Sequence, residues 1–258
     1  MCQKAIGGYL EVESELIKYI ENEFHATYYN IAELDFSKNR KALEYINNVI
    51  TKLSKPVYFF IKPDLGASMR SMKMGDVCHF VLMRNEPKIS RELTEIAHEF
   101  GHLFYGEKGY PQAQLCEGAN MVNAGRATII SNTVMDPIIN RDLYNAGLDI
   151  VEYMQDAVQI QAAELMFGYP EYSRLDKYQK NHIKCLLIEK IQEWYIIQNA
   201  IPNTFVEIAD KKYKRILVES RNFVKKINAI GTNNPEKCKK LLNMLIKENN
   251  MENEILIV

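Results

Sequence analysis

The chain has 258 residues, 47% of them apolar, with 32 Lys and Arg against 33 Asp and Glu and a net charge of −1. That length and apolar content can close a substantial core in one or two domains, which excludes a disulfide-dense miniprotein and a disordered chain. The near-neutral balance gives no electrostatic reason to expect a nucleic-acid partner.

In chain order, residues 9–24 predict a helix, 26–35 a strand, 38–53 a helix and Val57-Tyr58-Phe59-Phe60-Ile61 a strand. The stretch 62–76, with Gly66, Ser68, Met69, Met72, Met74 and Gly75, reads as a long loop, either a mobile flap or a plain connection. Residues 77–83 read as a strand, bounded by Gly75-Asp76 and Asn85-Glu86-Pro87. A helix is expected next, capped by Ser90 and stopped by Gly106 and Gly109. Leu93, Ile96, Ala97, Phe100, Leu103 and Phe104 recur along it at spacings of three and four, as one buried face would.

Beyond residue 110 the pattern predicts helices at 112–130, 132–146, 149–168, 176–198, 203–229 and 234–248. Gly168-Tyr169-Pro170 is the clearest break, giving a first domain of 1–168 and a helical extension of 169–258 that could also pack as part of that domain. Glu164 lies in the apolar run from Ala162 to Phe167 and predicts an interhelical hydrogen bond. The apolar tail Glu254-Ile255-Leu256-Ile257-Val258 is expected to pack onto its own domain, add a strand or bind a neighbour. The basic stretches Lys211-Lys212-Tyr213-Lys214-Arg215 and Lys239-Lys240 fit solvated helix faces.

Cys2, Cys78, Cys116, Cys185 and Cys238 are odd in number, scattered and never in C-x-x-C, as expected of reduced thiols in a cytoplasmic protein. Met1 to Gly8 lacks an apolar core with a cleavage site, so no signal peptide is expected. No run reaches the length needed to cross a bilayer, so no membrane association is expected.

The chemistry lies in His98-Glu99-Phe100-Gly101-His102, which reads H-E-x-x-H. On a helix, residues four apart share a face, so His98 and His102 can hold one divalent metal, with Glu99 beside its open position. Zinc accepts neutral imidazole nitrogens, and a catalytic site uses three protein ligands plus water. One Zn2+ ion is therefore the expected cofactor, with Glu99 as general base. The alternative is a pair of ordinary half-buried helix histidines. His79 either lines the cleft or is a satisfied strand histidine.

A strand running into a metal-binding helix resembles the zincin metallopeptidases. The resemblance implies an α+β, mainly α architecture, zincin-like, with a small N-terminal mixed sheet and a helical C-terminal part. It also implies that the 77–83 strand is the sheet edge that grips an extended substrate.

The third ligand is not set by the motif. A metzincin needs glycine at 105 and histidine at 108, where this chain has Tyr105 and Lys108, so a carboxylate is expected. The Asn132–Asp136 segment, continued through Arg141, Leu143 and Gly147, resembles an N-x-x-x-D-x-x-x-(N/D)-x-x-L-x-x-x-G stretch that follows the motif in several bacterial HExxH metallopeptidases, which implies Asp136 as the ligand. Glu117-Gly118-Ala119-Asn120 more distantly resembles the E-x-x-A-N stretch of ImmA/IrrE-type metallopeptidases, which would make Glu117 the ligand. Asp136 followed by Pro137 is also a good helix start, with Asp136 as N-cap. In a thermolysin-like arrangement, Asp136 would instead orient a bound histidine and Asn132 would take the ligand's place.

The resulting expectation is a zinc-dependent peptidase acting on a peptide or protein, with His98, His102 and Asp136 as metal ligands and Glu99 catalytic. The alternatives are a regulatory or toxin–antitoxin-type metalloprotein acting on one cellular partner, and a non-catalytic binding protein that retains the motif.

Overall fold

A computed structural model describes residues 14–118, 124–200 and 204–258. Residues 9–13 of the first expected helix, Ala119-Asn120 of the Glu117 stretch and Cys2 lie outside the described residues. The protein is mainly helical, with 63% helix against 11% strand, and has a small mixed four-stranded sheet. Two compact units divide the chain. The first holds the described residues up to Glu107 together with Asn145–Asp149, and the second holds Lys108–Tyr144 and Ile150–Val258. No helix among the described residues is long and apolar enough to cross a membrane.

The first unit comprises α1 (Ser14–Phe24), β1 (Thr27–Tyr29), α2 (Arg40–Ile50), β2 (Val57–Ile61), β3 (Met69–Met74), β4 (Cys78–Met83) and α3 (Ser90–Glu107). The sheet order is β1-β2-β4-β3, with β2 parallel to β4 and the other pairs antiparallel. Register places Tyr58 beside Phe80 and Phe60 beside Leu82 on one face. There they pack with Ile20, Ala26, Leu65 and Cys78, and Leu16, Ile17 and Phe24 of α1 cover them. Phe59 and Val81 take the opposite face, where the Phe59 ring stacks on Phe100 of α3 with centroids 5.9 Å apart. Both faces are covered, so every residue of β4 is buried and the strand reads as an apolar run broken only by His79.

Three expectations change here. The 62–76 loop contains strand β3, which pairs with β4 from Met69↔Met83 to Met74↔Cys78. The turn between them uses Gly75 at φ 48°. Consequently β4 is an interior strand, and the sheet edge next to it is β3. Residues 26–35 form only the short β1, followed by single 3-10 turns at Ile31–Glu33 and Phe36–Lys38 with Asn30 and Asp35 as caps.

The second unit contains β5 (Ala113–Leu115), α4 (Ala124–Asn145), α5 (Ile150–Ala163), α6 (Lys177–Gln192), α7 (Trp194–Ile197), α8 (Thr204–Lys212), α9 (Lys214–Ile230), α10 (Pro235–Glu248) and β6 (Ile255–Ile257). The expected helices at 112–130 and 132–146 are replaced by strand β5 and one 22-residue helix, α4. The expected 203–229 helix is two helices, broken at Tyr213. The apolar tail adds a strand, with β6 antiparallel to β5. A full capping box between Asp176 and Gln179 starts α6. Glu164 is exposed, and its bond is local, from the Tyr169 hydroxyl at 2.7 Å rather than between helices.

Candidate metal centre

Helix α3 runs from Ser90 to Glu107, passing through Gly106, and the chain turns at Gly109 with φ 77°. Glu92 receives the amides of Lys88 (2.6 Å) and Ile89 (3.2 Å) just ahead of the helix. The buried face of Leu93, Ile96, Ala97, Phe100 and Leu103 sets the helix rotation against the sheet. His98 is buried and His102 half-buried along the flank of that face. Their rings meet edge to face, and the two Nε2 atoms are 3.1 Å apart.

That separation matches what a shared ion requires. Two imidazole nitrogens at about 2.0–2.1 Å from a tetrahedral zinc lie roughly 3.3 Å from each other. Imidazole nitrogens are suitable donors for such an ion.

Glu99 is half-buried, and its Oε2 accepts the backbone amide of Ser71 at 2.6 Å. Ser71 lies on edge strand β3, so this amide points away from β4 and out of the sheet. Amides alternate in direction along a strand, so those of Met69 and Lys73 share that outward side. One turn before Glu99, Glu95 receives the hydroxyl of Ser68. Burial raises the Glu95 carboxyl above its ordinary range against that hydrogen bond, and the charges of Glu99 and Glu92 add to the rise. The pairing of Ser68 with Glu95 and Ser71 with Glu99 could not be read from a stretch taken for a loop.

Of the two readings for His79, the strand histidine holds only in part: one ring nitrogen is bonded, while the buried Nδ1 has no hydrogen-bond partner among the described residues. His79 is buried in β4, with Nε2 2.6 Å from Glu107 Oε1 at the end of α3. Glu107 also accepts the Ser54 amide (2.7 Å) and hydroxyl (3.0 Å). Burial alone would raise the Glu107 carboxyl, but the bonds from Ser54 and His79 together hold it below its ordinary value.

In the second unit, Asp136 is half-buried in the interior of α4, which excludes the N-cap role. Pro137 lies within the same helix, where it removes the amide that would bond to the Thr133 carbonyl. Gln192 of α6 supplies the replacement, its Nε2 donating to Thr133 O at 2.9 Å. Asn132, Asp136 and Asn140 stand at successive turns of this one helix. Glu117 is exposed in the turn after β5.

Helix α6 also carries a buried polar cluster that the sequence did not announce. Glu193, fully buried, accepts from Asn140 Nδ2 at 2.5 Å and from Lys190 Nζ at 3.0 Å. Lys190 donates in addition to Glu189. Burial pushes the Glu189 carboxyl well above its ordinary range; Lys190 opposes this, while the charges of Glu193 and Asp136 reinforce it. Burial disfavours the Lys190 ammonium, yet its two carboxylate partners outweigh that and keep it charged. The end of helix α6 and the Glu193 that caps it therefore hold α4 on both sides of Asp136, through Thr133 before it and Asn140 after it.

No family model, curated protein or solved structure matches this chain.

Proposed function

We propose that the protein is a zinc-dependent peptidase in which His98, His102 and Asp136 hold one metal ion and Glu99 is the general base. The observation that carries this reading is the 3.1 Å approach of the two Nε2 atoms, one helical turn apart, with Glu99 beside them. Asp136 is taken as the third ligand because its stretch resembles the one that follows the motif in other HExxH metallopeptidases and because it does not cap a helix. Two neutral imidazoles and a carboxylate suit zinc, and three protein ligands leave a position for water.

Bound zinc would supply a Lewis acid that lowers the pKa of water and polarises the scissile carbonyl. The chain's own residues supply the rest. Glu99 takes the proton from the attacking water and passes it to the departing amine. The Ser71 amide holds one oxygen of the Glu99 carboxylate, which would leave the other oxygen for the water. Substrate would lie as an extended strand along the outer edge of β3, pairing with the outward amides of Met69 and Lys73 while that of Ser71 stays on Glu99. Main-chain pairing of this kind grips a peptide with little regard to side chains. The free thiols of Cys78, Cys185 and Cys238, all buried, are in keeping with a reducing, cytoplasmic setting.

The test is metal analysis joined to cleavage. Protein purified without added zinc should carry close to one equivalent, and His98→Ala and His102→Ala should lose it. Glu99→Gln should keep the metal and lose cleavage of a mixed peptide library read by mass spectrometry. Absence of bound zinc in the wild type under every loading condition would overturn the proposal.

A further inference from the structure

The second unit contains a cavity of about 300 Å³ lined by Leu187, Ile191, Trp194, Ile197, Phe205 and Val206, with Lys190 and Arg221 as its charged members. Its size is at the lower end of small-ligand sites, and its apolar walls with few polar groups are typical of them. Leu187, Ile197 and Phe205 form a buried floor, while Ile191, Trp194 and Val206 are half-buried around it.

The two cations differ in what they can offer. The Lys190 ammonium is committed to the Glu189 and Glu193 carboxylates. Arg221, exposed on α9, has no hydrogen-bond or ion-pair partner among the described residues. A guanidinium presents a planar fork of donors that fits a carboxylate with two parallel bonds. An apolar hollow with one uncommitted guanidinium at its rim complements a molecule with an aliphatic body and an anionic end.

We infer that this cavity binds a small amphipathic carboxylate, its aliphatic chain among Leu187, Ile191, Trp194 and Phe205 and its carboxylate on Arg221. The site is independent of the zinc reading and would stand if that reading failed. Neutral apolar molecules should enter more weakly, because they leave the guanidinium without its anion.

Trp194 is the only tryptophan in the chain, so its emission reports directly on the cavity. Octanoate titrated into the full chain should change that emission saturably, and octanol should bind at least about tenfold more weakly. Arg221→Leu, a surface substitution, should bring octanoate down to the octanol level while leaving octanol unchanged. Val206→Phe, which fills the hollow from its rim, should weaken both probes with the thermal melt retained. The inference is overturned if octanoate gives no saturable change, if the two probes bind equally to the wild type, or if Arg221→Leu keeps the preference for octanoate.

Discussion

Gln192 Nε2 donates to the Thr133 carbonyl at 2.9 Å, and that carbonyl is the one Pro137 deprives of its helical partner. A proline in a helix interior normally breaks or kinks it by removing the i to i−4 bond. Here a side chain from α6 restores the lost partner, so α4 continues through the Asp136-Pro137 pair. Removing Gln192 should therefore leave an unsatisfied carbonyl. Gln192→Ala is expected to cost about 1–3 kcal/mol in denaturant unfolding. In a Pro137→Ala background the restored amide reaches Thr133 itself, and the same change should cost clearly less. Equal costs in both backgrounds would show that Gln192 acts in some other way.

Glu107 ties three parts of the first unit together through Ser54 and His79. Its folded pKa is depressed, so its contribution is present above the ordinary carboxylate range near about 4.3 and is lost as pH falls through the folded value. Near neutral pH, Glu107→Gln should reduce stability by about 1.5 kcal/mol, as expected for loss of a charge-assisted hydrogen bond. The gap between wild type and variant should then close as the pH drops below that range. Chemical denaturation at a series of pH values reads it directly, and a gap independent of pH would refute the charge-based account.

The parts of this fold that could be read from sequence are those whose local pattern and tertiary setting agree. Residues 57–61 and, apart from His79, 78–83 are apolar runs because the sheet is covered on both faces. Strand β3 went unread because Met69-Arg70-Ser71-Met72-Lys73-Met74 has no β-branched residue and leaves Arg70 and Lys73 exposed. Its conformation comes from pairing with β4, a contact that no local pattern encodes. Asp136-Pro137 carries a local stop signal, overridden by a glutamine that bonds to Thr133 from 59 positions further along the chain. Glu193 looks like any polar residue of an amphipathic helix, and only the approach of Asn140 shows it to be buried. The H-E-x-x-H segment was legible in full, since one helical turn sets the relation of His98 to His102.

Phe100 connects the motif to the core. It lies between Glu99 and Gly101, is fully buried, and stacks on Phe59 across the sheet face. Phe100→Ala should cost about 3–5 kcal/mol, the range for an aromatic side chain removed from a packed interior. Phe100→Leu, which retains much of the volume, should cost markedly less. Equal losses in the two variants, or none in either, would refute the packing account.

Asp136 gives the sharpest separation between a structural and a chemical role. A helix-capping aspartate replaced by alanine loses about 1 kcal/mol because an amide at the first turn goes unbonded. Asp136 is in the interior of α4, twelve positions past its first residue (136 minus 124), where no such amide waits. Alanine is the better helix former at an interior position by up to about 0.7 kcal/mol. The change also removes a negative charge that bears on half-buried Glu189. In protein stripped with a chelator, Asp136→Ala should therefore show no loss of a helix cap, and its denaturant unfolding sets the baseline against which the effect of zinc is read. The proposed third-ligand role makes the opposite demand on the metal. Zinc retained after dialysis should fall steeply in Asp136→Ala, and added zinc should stabilise the variant far less than the wild type. Wild-type zinc retention in Asp136→Ala would move the third ligand elsewhere while leaving His98 and His102 in place. Loss of about 1 kcal/mol in the stripped protein, with zinc retained, would instead mean that the carboxylate serves α4 and not the metal.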